Sequence, residues 1–478
     1  MKRHITAGLV LSLTLLGAGC DDFIQGPGLT ETPNSPSSGT AAQQLIAVQA
    51  RMATLLEGQL ARTASIYTQQ IIGVNNQQLS VTQYTYGESD YSGFFSGFYA
   101  GGGLVAIRNI QSLSAAANDN LTLGIAHIWE ALAIGTATSI WGDIPYSEAV
   151  SDILTPRLDP QEQVYAAVQQ RLDDGIAALN AAGSAGPAQT ADLVYCATAG
   201  CSRATQISRW IAAANTLKAR FHLDLVERNG NSAYEAALAA ANNGIMDAPT
   251  SADDAMHGQA PGDFRFYHGG VQDVDANVWA GFLAQRGGDI RAGHTLVQLL
   301  KDRSDPRLSA YFDANAGGEY FGRNENAQVV GGESSEIDSE TRRVFNFRQP
   351  IVTWAENQLI LAEAKFVLQG AAAALPHVNN VRTAVGLPAL GSVTLEEIMH
   401  EKYIAMFQNI AVWSDYRRTC FPRITSGPGA DEVPGRIPYG SFERTNNPNV
   451  PLPSAFPAGT TGSSALRNWN DPQACPTP

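Results

Sequence analysis

Apolar residues recur at alternating spacings of three and four along much of this chain, which is the pattern of helices that bury one face. The clearest runs are Val352, Ala355, Leu359, Ala362 and Phe366, then Met399, Tyr403, Met406, Ile410 and Trp413. Similar runs cover residues 125–140, 164–179 and 210–221, whereas the strict alternation of a strand is scarce. The pattern predicts an all-α fold.

Three long segments between these runs lack helical spacing and are rich in Gly, Asn and Ser. They are residues 75–103, 244–291 and 314–340. Loops of this length are uncommon in compact domains unless they carry a function or stay disordered. We therefore expect long irregular loops, with binding residues among them.

The first twenty residues have the layout of a lipoprotein export signal. Lys2, Arg3 and His4 give a basic start, residues 7–16 form an apolar stretch too short for a stable membrane span, and small residues precede Cys20. This layout predicts a signal peptide at residues 1–19, cleavage before Cys20 and lipidation of the Cys20 thiol. An ordinary secretory peptide that happens to contain a cysteine is the less favoured alternative.

Residues 20–40 are rich in Pro, Gly, Ser and Thr and have too little apolar surface to pack. They are predicted to form a flexible tether, with the folded domain spanning residues 41–478. Asp21 and Asp22 follow the lipidated cysteine directly. Acidic residues at this place accompany inner-membrane retention in some bacteria and export to the outer surface in others, so both addresses stay open at this point.

Composition limits the classes of partner. The 478 residues are 44% apolar and only 16% charged, which is ample for a large buried core. The formal charge of −14 becomes −16 once Lys2 and Arg3 leave with the signal (−14 − 2), which argues against nucleic acid as a partner. Beyond the signal, no apolar run is expected to cross a membrane.

Four cysteines remain besides Cys20, an even number in a chain predicted to be exported. Cys196 and Cys201 enclose a short segment of small residues and can close a local loop, which leaves Cys420 to pair with Cys475. Metal binding is the alternative, but His residues and a close second cysteine pair are missing around them. Two disulfides and no metal site are predicted.

Common catalytic signatures are missing from the sequence, including the zinc-protease, phosphate-loop, nucleophile-elbow and dinucleotide motifs. Asp273, Asp275 and Asn277 begin like a calcium loop, but Val278 stands in place of the required Gly and Ala284 in place of the closing Glu. The two carboxylates of a glycosidase need no fixed spacing in sequence, so that class remains an alternative. We expect no enzyme activity and no cofactor.

Four ordered segments resemble a known family. They are IWGDIPY at 140–146 with QEQVY at 161–165, the helix RWIAAANTLKAR at 209–220, SDPRL at 304–308 with the helix at 356–364, and a stretch from Glu401 through WSDYRRTCFP at 413–422 to RIPY at 436–439 and Trp469. Together they resemble the SusD/RagB family of lipid-anchored, nutrient-binding proteins of the outer membrane. The resemblance implies helix pairs of the tetratricopeptide type, although no internal repeat is visible.

The sequence also departs from the family pattern. Cys420 stands where the family usually has glycine, which supports a disulfide to Cys475 particular to this lineage. The N-terminal third is the least similar part, so the identity of the nutrient is the least transferable inference. Of the matching residues, Trp210, Asn215, Arg220, Asp415, Arg417 and Arg418 are interpreted as packing and buried charge-pair positions rather than ligand contacts.

Aromatic residues crowd two of the Gly-rich segments. The candidate ligand-binding residues are Tyr84, Tyr86 and Tyr91 in the first and Phe266, Tyr267 and Trp279 in the second. A flat ring flanked by amides or carboxylates suits the apolar face of a sugar. The alternative is that each ring packs its loop onto the scaffold.

By resemblance, the chain is expected to sit on the outer membrane by its lipid anchor, facing outward. It would bind an extracellular oligosaccharide or peptide and deliver it to a TonB-dependent, SusC-like transporter. Two alternatives remain open. One is a lipid-anchored all-α glycosidase, favoured by two carboxylates facing across a deep cleft, and the other is a helical-repeat scaffold, favoured if the aromatic loops are buried and no concave site remains.

Overall fold

Helices form most of the regular structure in the computed structural model, which describes residues 39–197, 200–430, 432–451 and 467–475. In chain order they are α1 (Ala41–Leu56), α2 (Gln59–Tyr67), α3 (Asn76–Thr82), α4 (Glu88–Gly97), α5 (Leu104–Ala116), α6 (Asn120–Trp141), α7 (Gln161–Ala182), α8 (Arg203–Leu223), α9 (Val226–Asn229), α10 (Asn231–Ala241), α11 (Ala252–His257), α12 (Val278–Arg286), α13 (His294–Asp302), α14 (Arg307–Tyr311), α15 (Trp354–Gln369), α16 (Ala371–Ala384), α17 (Leu395–Ala405), α18 (Val412–Thr419) and α19 (Ser441–Asn446). Cys20 and the predicted signal lie outside the described residues.

Strands are few and short among the described residues. They are β1 (Ile71–Gly73), β2 (Phe264–Arg265), β3 (Ile290–Ala292) and β4 (Pro350–Val352). β1 pairs with β3 and β2 with β4, both antiparallel, and each pair joins segments far apart in sequence. These pairs fix the long loops against the helical scaffold.

Consecutive long helices pack as antiparallel pairs. In the pair α6 and α7, a Cβ on Gly124 would lie 2.7 Å from Leu179 Cγ, and one on Gly175 would lie 2.9 Å from Ile128 Cγ1. Glycine at both positions therefore lets the two helix backbones approach closely. Packing continues through α8 with α10 and α15 with α16. The predicted all-α fold of tetratricopeptide-like helix pairs is confirmed.

Helix α6 lies at the centre of the core. It is long and apolar enough to cross a membrane by length and composition, yet 89% of its most apolar window is buried inside the protein. A helix that is apolar on every side is expected at the centre of a large core. The expectation that no further run reaches this length is therefore corrected, although burial identifies α6 as a core helix.

The loops contain more helix than the sequence pattern predicts. Helices α3 and α4 lie inside residues 75–103, while α11 and α12 lie inside residues 244–291. Conversely, the run from Met399 to Trp413 is not one helix, because α17 ends at Ala405 and Gln408 adopts a positive φ of 63° before α18 begins. Short helices bury too few residues to show a periodic pattern.

The family-like motifs form buried ion pairs. Arg220 on α8 makes two 2.6 Å hydrogen bonds to the Glu356 carboxylate at the start of α15. Arg418 on α18 pairs with Glu363 and with Asp415, which also accepts from Lys402 at 2.9 Å. These pairs lie between helices from distant parts of the chain. The predicted structural role of Arg220, Arg418 and Asp415 is confirmed.

Glu401 on α17 is the centre of a larger charge cluster. Its buried carboxylate contacts the guanidinium groups of Arg303, Arg307 and Arg382. Arg307 also pairs with Asp305 at 2.6 Å. Asp305 and Arg307 belong to the SDPRL motif, which thereby joins α14 to α17.

Both predicted cysteine pairs are bonded in the structure, Cys196 to Cys201 and Cys420 to Cys475. The second bond holds residues 467–475 against α18. That segment is also fixed by polar contacts, because Asp471 pairs with Arg417 Nε at 2.8 Å. The C-terminal segment is thus part of the packed domain.

Candidate functional site

Five of the six candidate rings lie in the hydrophobic core. Each of Tyr84, Tyr86, Tyr91, Phe266 and Trp279 has less than 9% of its surface exposed. The structure corrects the expectation that these five rings form an exposed platform. A large aromatic ring stabilises the fold more when it is buried than when it is exposed on a loop, so these rings pack inward.

The tyrosines of the first segment pack on one another and on the scaffold. Tyr84 meets Tyr67 edge to face at 5.4 Å, and Tyr86 meets Tyr91 at 4.8 Å. The Tyr84 hydroxyl accepts a 2.9 Å hydrogen bond from the Gly427 backbone N–H. These contacts fasten α3 and α4 to α2 and to the loop that follows α18.

Tyr267 is the candidate that keeps an accessible surface. It lines a cleft of about 180 Å³ between α1, residues 193–194 and residues 266–278. The cleft is walled by apolar groups of Ala53, Leu193 and Val278 and by the exposed Asp275 carboxylate. A half-exposed ring beside a hydrogen-bonding group is the arrangement that can stack on a sugar and hold its hydroxyls.

The outer wall of this cleft is a tight hairpin, residues 269–276. Val271 and Asp275 form an antiparallel bridge, and Asp275 Oδ2 accepts a 2.7 Å hydrogen bond from the Gly269 N–H. A Cβ at Gly269 would lie 2.5 Å from that oxygen, so a larger residue there would displace the Asp275 carboxylate from this hydrogen bond. The turn presents Val271 and Val274 to solvent, with 57% and 83% of their surface exposed.

A buried histidine–carboxylate pair supports the hairpin from below. His268 Nε2 lies 3.1 Å from both oxygens of Glu57, which also accepts from the Val278 N–H at the start of α12. Burial alone would lower the pKa of His268, but the Glu57 carboxylate outweighs it and raises that pKa above its usual value. The pair fixes Tyr267 by holding its neighbour in the chain.

A second groove lies on the other side of the hairpin. It has a volume of about 270 Å³ and is lined by Asp273, Val278, Phe282 and Gln285. The half-buried Phe282 ring lies with its centroid 4.1 Å from Cζ of Arg62 on α2. The hairpin therefore separates two shallow depressions, each with one accessible ring, which we call the Tyr267 cleft and the Phe282 groove.

A larger cleft of about 430 Å³ lies elsewhere, between β3 and residues 313–336. Its lining holds Arg291, Arg323, Glu333 and Glu336 but no aromatic side chain. Without a ring it offers no stacking surface for a sugar. The Tyr267 cleft and the Phe282 groove are the better candidate site.

The calcium-like residues have structural roles. Asp275 binds the Gly269 N–H, Asp273 Oδ1 accepts from Gln285 at 3.2 Å, and Asn277 Oδ1 caps α12 through the Ala280 N–H. Among the described residues no group of three or more His, Cys, Asp or Glu could hold a metal ion.

Sequence reasoning missed several residues of this site, namely Glu57, Arg62, His268 and Phe282. Phe282 follows Trp279 by three residues, a helical spacing that the Gly-rich context concealed. Glu57 and Arg62 lie more than two hundred residues before the hairpin, so no local pattern could join them to it.

Comparison with known proteins identifies the family. A family model described as SusD-like, starch-binding and associating with the outer membrane, matches residues 33–377. The match covers well over half of the chain. The chain belongs to the SusD-like family. The resemblance drawn from the motifs is thereby confirmed, whereas no curated protein matches the sequence.

Solved structures of SusD-like proteins share the fold along nearly their whole length. A SusD/RagB family protein from Bacteroides thetaiotaomicron is 21% identical, with a TM-score of 0.68 over 91% of this chain and 99% of its own. A chitin-binding SusD homologue from Flavobacterium johnsoniae is 20% identical, with a TM-score of 0.70 over 90% and 98%. At these identities the likeness establishes the fold.

Proposed function

We propose that the chain is a cell-surface lipoprotein that captures an extracellular oligosaccharide during nutrient uptake. The observation that carries this proposal is the half-buried Tyr267 ring, which lines a cleft in a chain of the SusD-like family. A sugar ring would stack on Tyr267, and the Asp275 carboxylate would accept hydrogen bonds from its hydroxyls. The family description names starch, and one structural neighbour is described as chitin-binding.

An oligosaccharide fits this site better than a peptide. The Tyr267 cleft and the Phe282 groove are shallow and lie on either side of one hairpin, so a chain of sugar rings could lie across both. An extended peptide would need an exposed strand edge or a row of backbone partners. The exposed parts of the hairpin are instead valine side chains and carboxylates.

The anchor and the partner belong to the same proposal. Lipidation at Cys20 and a tether over residues 20–40 would hold the domain, residues 41–478, at the outer membrane facing outward. The ligand would then pass to a TonB-dependent, SusC-like transporter. The family's association with the outer membrane supports that address over inner-membrane retention.

The two alternatives find less support. A glycosidase would need two carboxylates facing each other across the cleft, but Asp275 is the carboxylate that lines the Tyr267 cleft, whereas Glu57 does not line it and is buried against His268. A scaffold without a binding site would leave no concave surface. The Tyr267 cleft and the Phe282 groove remain, although five candidate rings are buried.

The test is a binding assay on the non-lipidated chain, residues 21–478. Maltooligosaccharides, chitooligosaccharides and short peptides would be titrated by calorimetry. We expect saturable binding of at least one oligosaccharide and no binding of the peptides. Binding of peptides alone, or catalytic shortening of a bound oligosaccharide, would contradict the proposal.

A further inference from the structure

Arg62 is a buried cation without a counter-ion. Its residue surface is 8% exposed, and its guanidinium lies 4.1 Å from the centroid of Phe282 and 5.8 Å from that of Trp279. Among the described residues it forms no ion pair, and its Nη1 has no hydrogen-bond partner. The Nε atom reaches only Gln59 Oε1, at a long 3.4 Å.

The neighbouring charges do not neutralise Arg62. Glu57, in the turn between α1 and α2, is occupied by His268 and by the Val278 N–H. The charge that most affects Arg62 belongs to Arg286, which pairs with Asp289 at 2.5 Å. Burial, and then Arg286, lower the pKa of Arg62 to about 9, so the guanidinium stays protonated at neutral pH.

A second unpaired donor lies beside it. The indole Nε1 of Trp279 is buried and has no hydrogen-bond partner among the described residues. Buried donors in native proteins are nearly always paired, and buried charges are usually paired as well. Arg62 and Trp279 supply only donors, one of them charged, so an acceptor with negative charge would satisfy both.

We propose that Arg62 and Trp279 receive the anionic substituent of an acidic oligosaccharide, a uronic acid carboxylate or a sulfate ester. This inference rests on the proposed function and specifies its substrate class. Phe282 lies between the Phe282 groove and the buried donors. Its half-buried ring lines the groove and also contacts the Arg62 guanidinium. A small tilt of the Phe282 ring, which stays in contact with the sugar, admits the anion to the guanidinium.

The lining of the groove agrees with a sugar acid rather than a small free anion. Asp273 is the one carboxylate among its lining residues and is held by Gln285 at 3.2 Å. Asp273 and Gln285 can bind sugar hydroxyls. A free anion would instead be repelled by the Asp273 carboxylate, to which the Gln285 amide already donates. The apolar Val278 and Phe282 supply the surface on which a ring can rest.

The experiment compares the binding of one oligosaccharide with and without its negative charges. Calorimetry on residues 21–478 would use an oligogalacturonate, the same oligomer with its carboxyl groups methyl-esterified, and a sulfated galactan oligomer. We expect one of the two acidic oligomers to bind about tenfold more tightly than the ester, since a hydrogen bond to a charged group is worth this much. Which acid binds more tightly distinguishes carboxylate from sulfate.

Two variants locate the effect. Arg62→Gln should remove the preference for the acid while leaving the weaker binding of the ester. Arg157→Gln, which removes an exposed guanidinium paired with Glu148, should keep the preference. Arg62→Gln gives up no ion pair among the described residues but loses the contact of the guanidinium with the Phe282 ring, so its melting temperature should fall only slightly. Trp279→Phe keeps the guanidinium and an aromatic ring but removes the indole N–H, so it should weaken the preference even if Arg62→Gln folds poorly.

If wild-type protein binds neither acidic oligomer more tightly than the ester, the inference is overturned and the proposed function still stands. An Arg62→Gln protein that folds and still prefers the acid would also overturn it. If oligosaccharides of every kind fail to bind, the proposed function itself fails. These results are separable in one series of titrations.

Discussion

Phe266 and Tyr267 are consecutive residues whose rings lie in different environments. Phe266 stacks on Trp129, with ring centroids 5.8 Å apart and planes 26° apart. Both residues line the Tyr267 cleft, but Phe266 is only 2% exposed whereas Tyr267 is half-buried. Backbone hydrogen bonding from the Phe266 N–H to the Gln349 carbonyl extends the β2–β4 pair, and successive side chains of extended backbone point to opposite faces. We therefore expect Tyr267, rather than Phe266, to contact a ligand at this cleft.

Replacing Tyr267 by Ala should weaken oligosaccharide binding by about 1–3 kcal/mol and change the melting temperature little, because an accessible stacking ring is lost. Phe266→Ala is the matched control and should cost about 3–5 kcal/mol of stability, since it leaves a cavity against Trp129. Calorimetry and thermal unfolding on both variants give the comparison. If Tyr267→Ala unfolds earlier and binds normally, Tyr267 is another packing residue.

The His268–Glu57 pair should make stability depend on pH. Because Glu57 stabilises the protonated imidazole, the pKa of His268 is raised in the folded protein. Its contribution is therefore fully present below the unfolded value of 6.5 and is lost as pH rises through the folded pKa. Burial raises the pKa of Glu57 as well, so the comparison uses Glu57→Gln, which removes both the carboxylate and its titration. The stability difference between wild type and Glu57→Gln, measured by urea unfolding from pH 5.5 to 9, should be largest at the acidic end. A difference that stays constant across this range would refute the coupling.

Glu401 should be essential to the helical scaffold. Glu401→Gln removes the charge that compensates Arg303, Arg307 and Arg382, and breaking a buried ion cluster from one side costs about 3–5 kcal/mol. Glu396→Gln on the same helix is the control, because its side chain is 51% exposed and its replacement should cost under about 0.5 kcal/mol. Chemical denaturation of both variants measures the difference. Equal stabilities would show that Asp305 alone holds the arginines.

Lipidation should depend on a single residue. Cys20→Ala removes the thiol that would carry the diacylglyceryl group, so the exported protein should lose its fatty acid and appear in the soluble fraction. Metabolic labelling with a radioactive fatty acid, followed by fractionation of cells expressing wild type or variant, measures both effects. Label retained by the variant would exclude Cys20 as the lipidation site.

The helical scaffold could be predicted from sequence, because apolar residues repeat at helical spacing within each local stretch of the chain. Residues such as Leu359 and Ala362 repeat at helical intervals, and the motif residues Arg220 and Arg418 are long charged side chains on otherwise apolar helix faces. A charged residue in that position requires a partner, so a buried pair could be predicted even though Glu356 and Glu363 could not be assigned.

The candidate site was harder to predict from sequence, because contacts between distant segments decide which of its residues are buried. Nothing local distinguishes Trp279, which packs in the core, from Tyr267, which lines the cleft. The direction of each ring is set by β2 pairing with β4 and by Glu57 holding His268, both of which join parts of the chain far apart in sequence. Aromatic density pointed to the loop that holds the candidate cleft, but it did not distinguish the half-buried Tyr267 from the five buried rings.

The Cys420–Cys475 disulfide should stabilise the domain more than the Cys196–Cys201 disulfide does. Their sequence separations are 55 and 5 residues, and on the loop-entropy model these correspond to about 4 and about 2 kcal/mol. Cys420→Ser with Cys475→Ser should therefore lower the free energy of unfolding by roughly twice as much as the double variant Cys196→Ser with Cys201→Ser. The Arg417–Asp471 ion pair is expected to keep residues 467–475 in place in the folded state, so the loss should appear in stability rather than in oligosaccharide affinity. Guanidinium unfolding under non-reducing conditions measures both variants against wild type. If the two losses are equal, the longer disulfide does not act by restricting the unfolded chain.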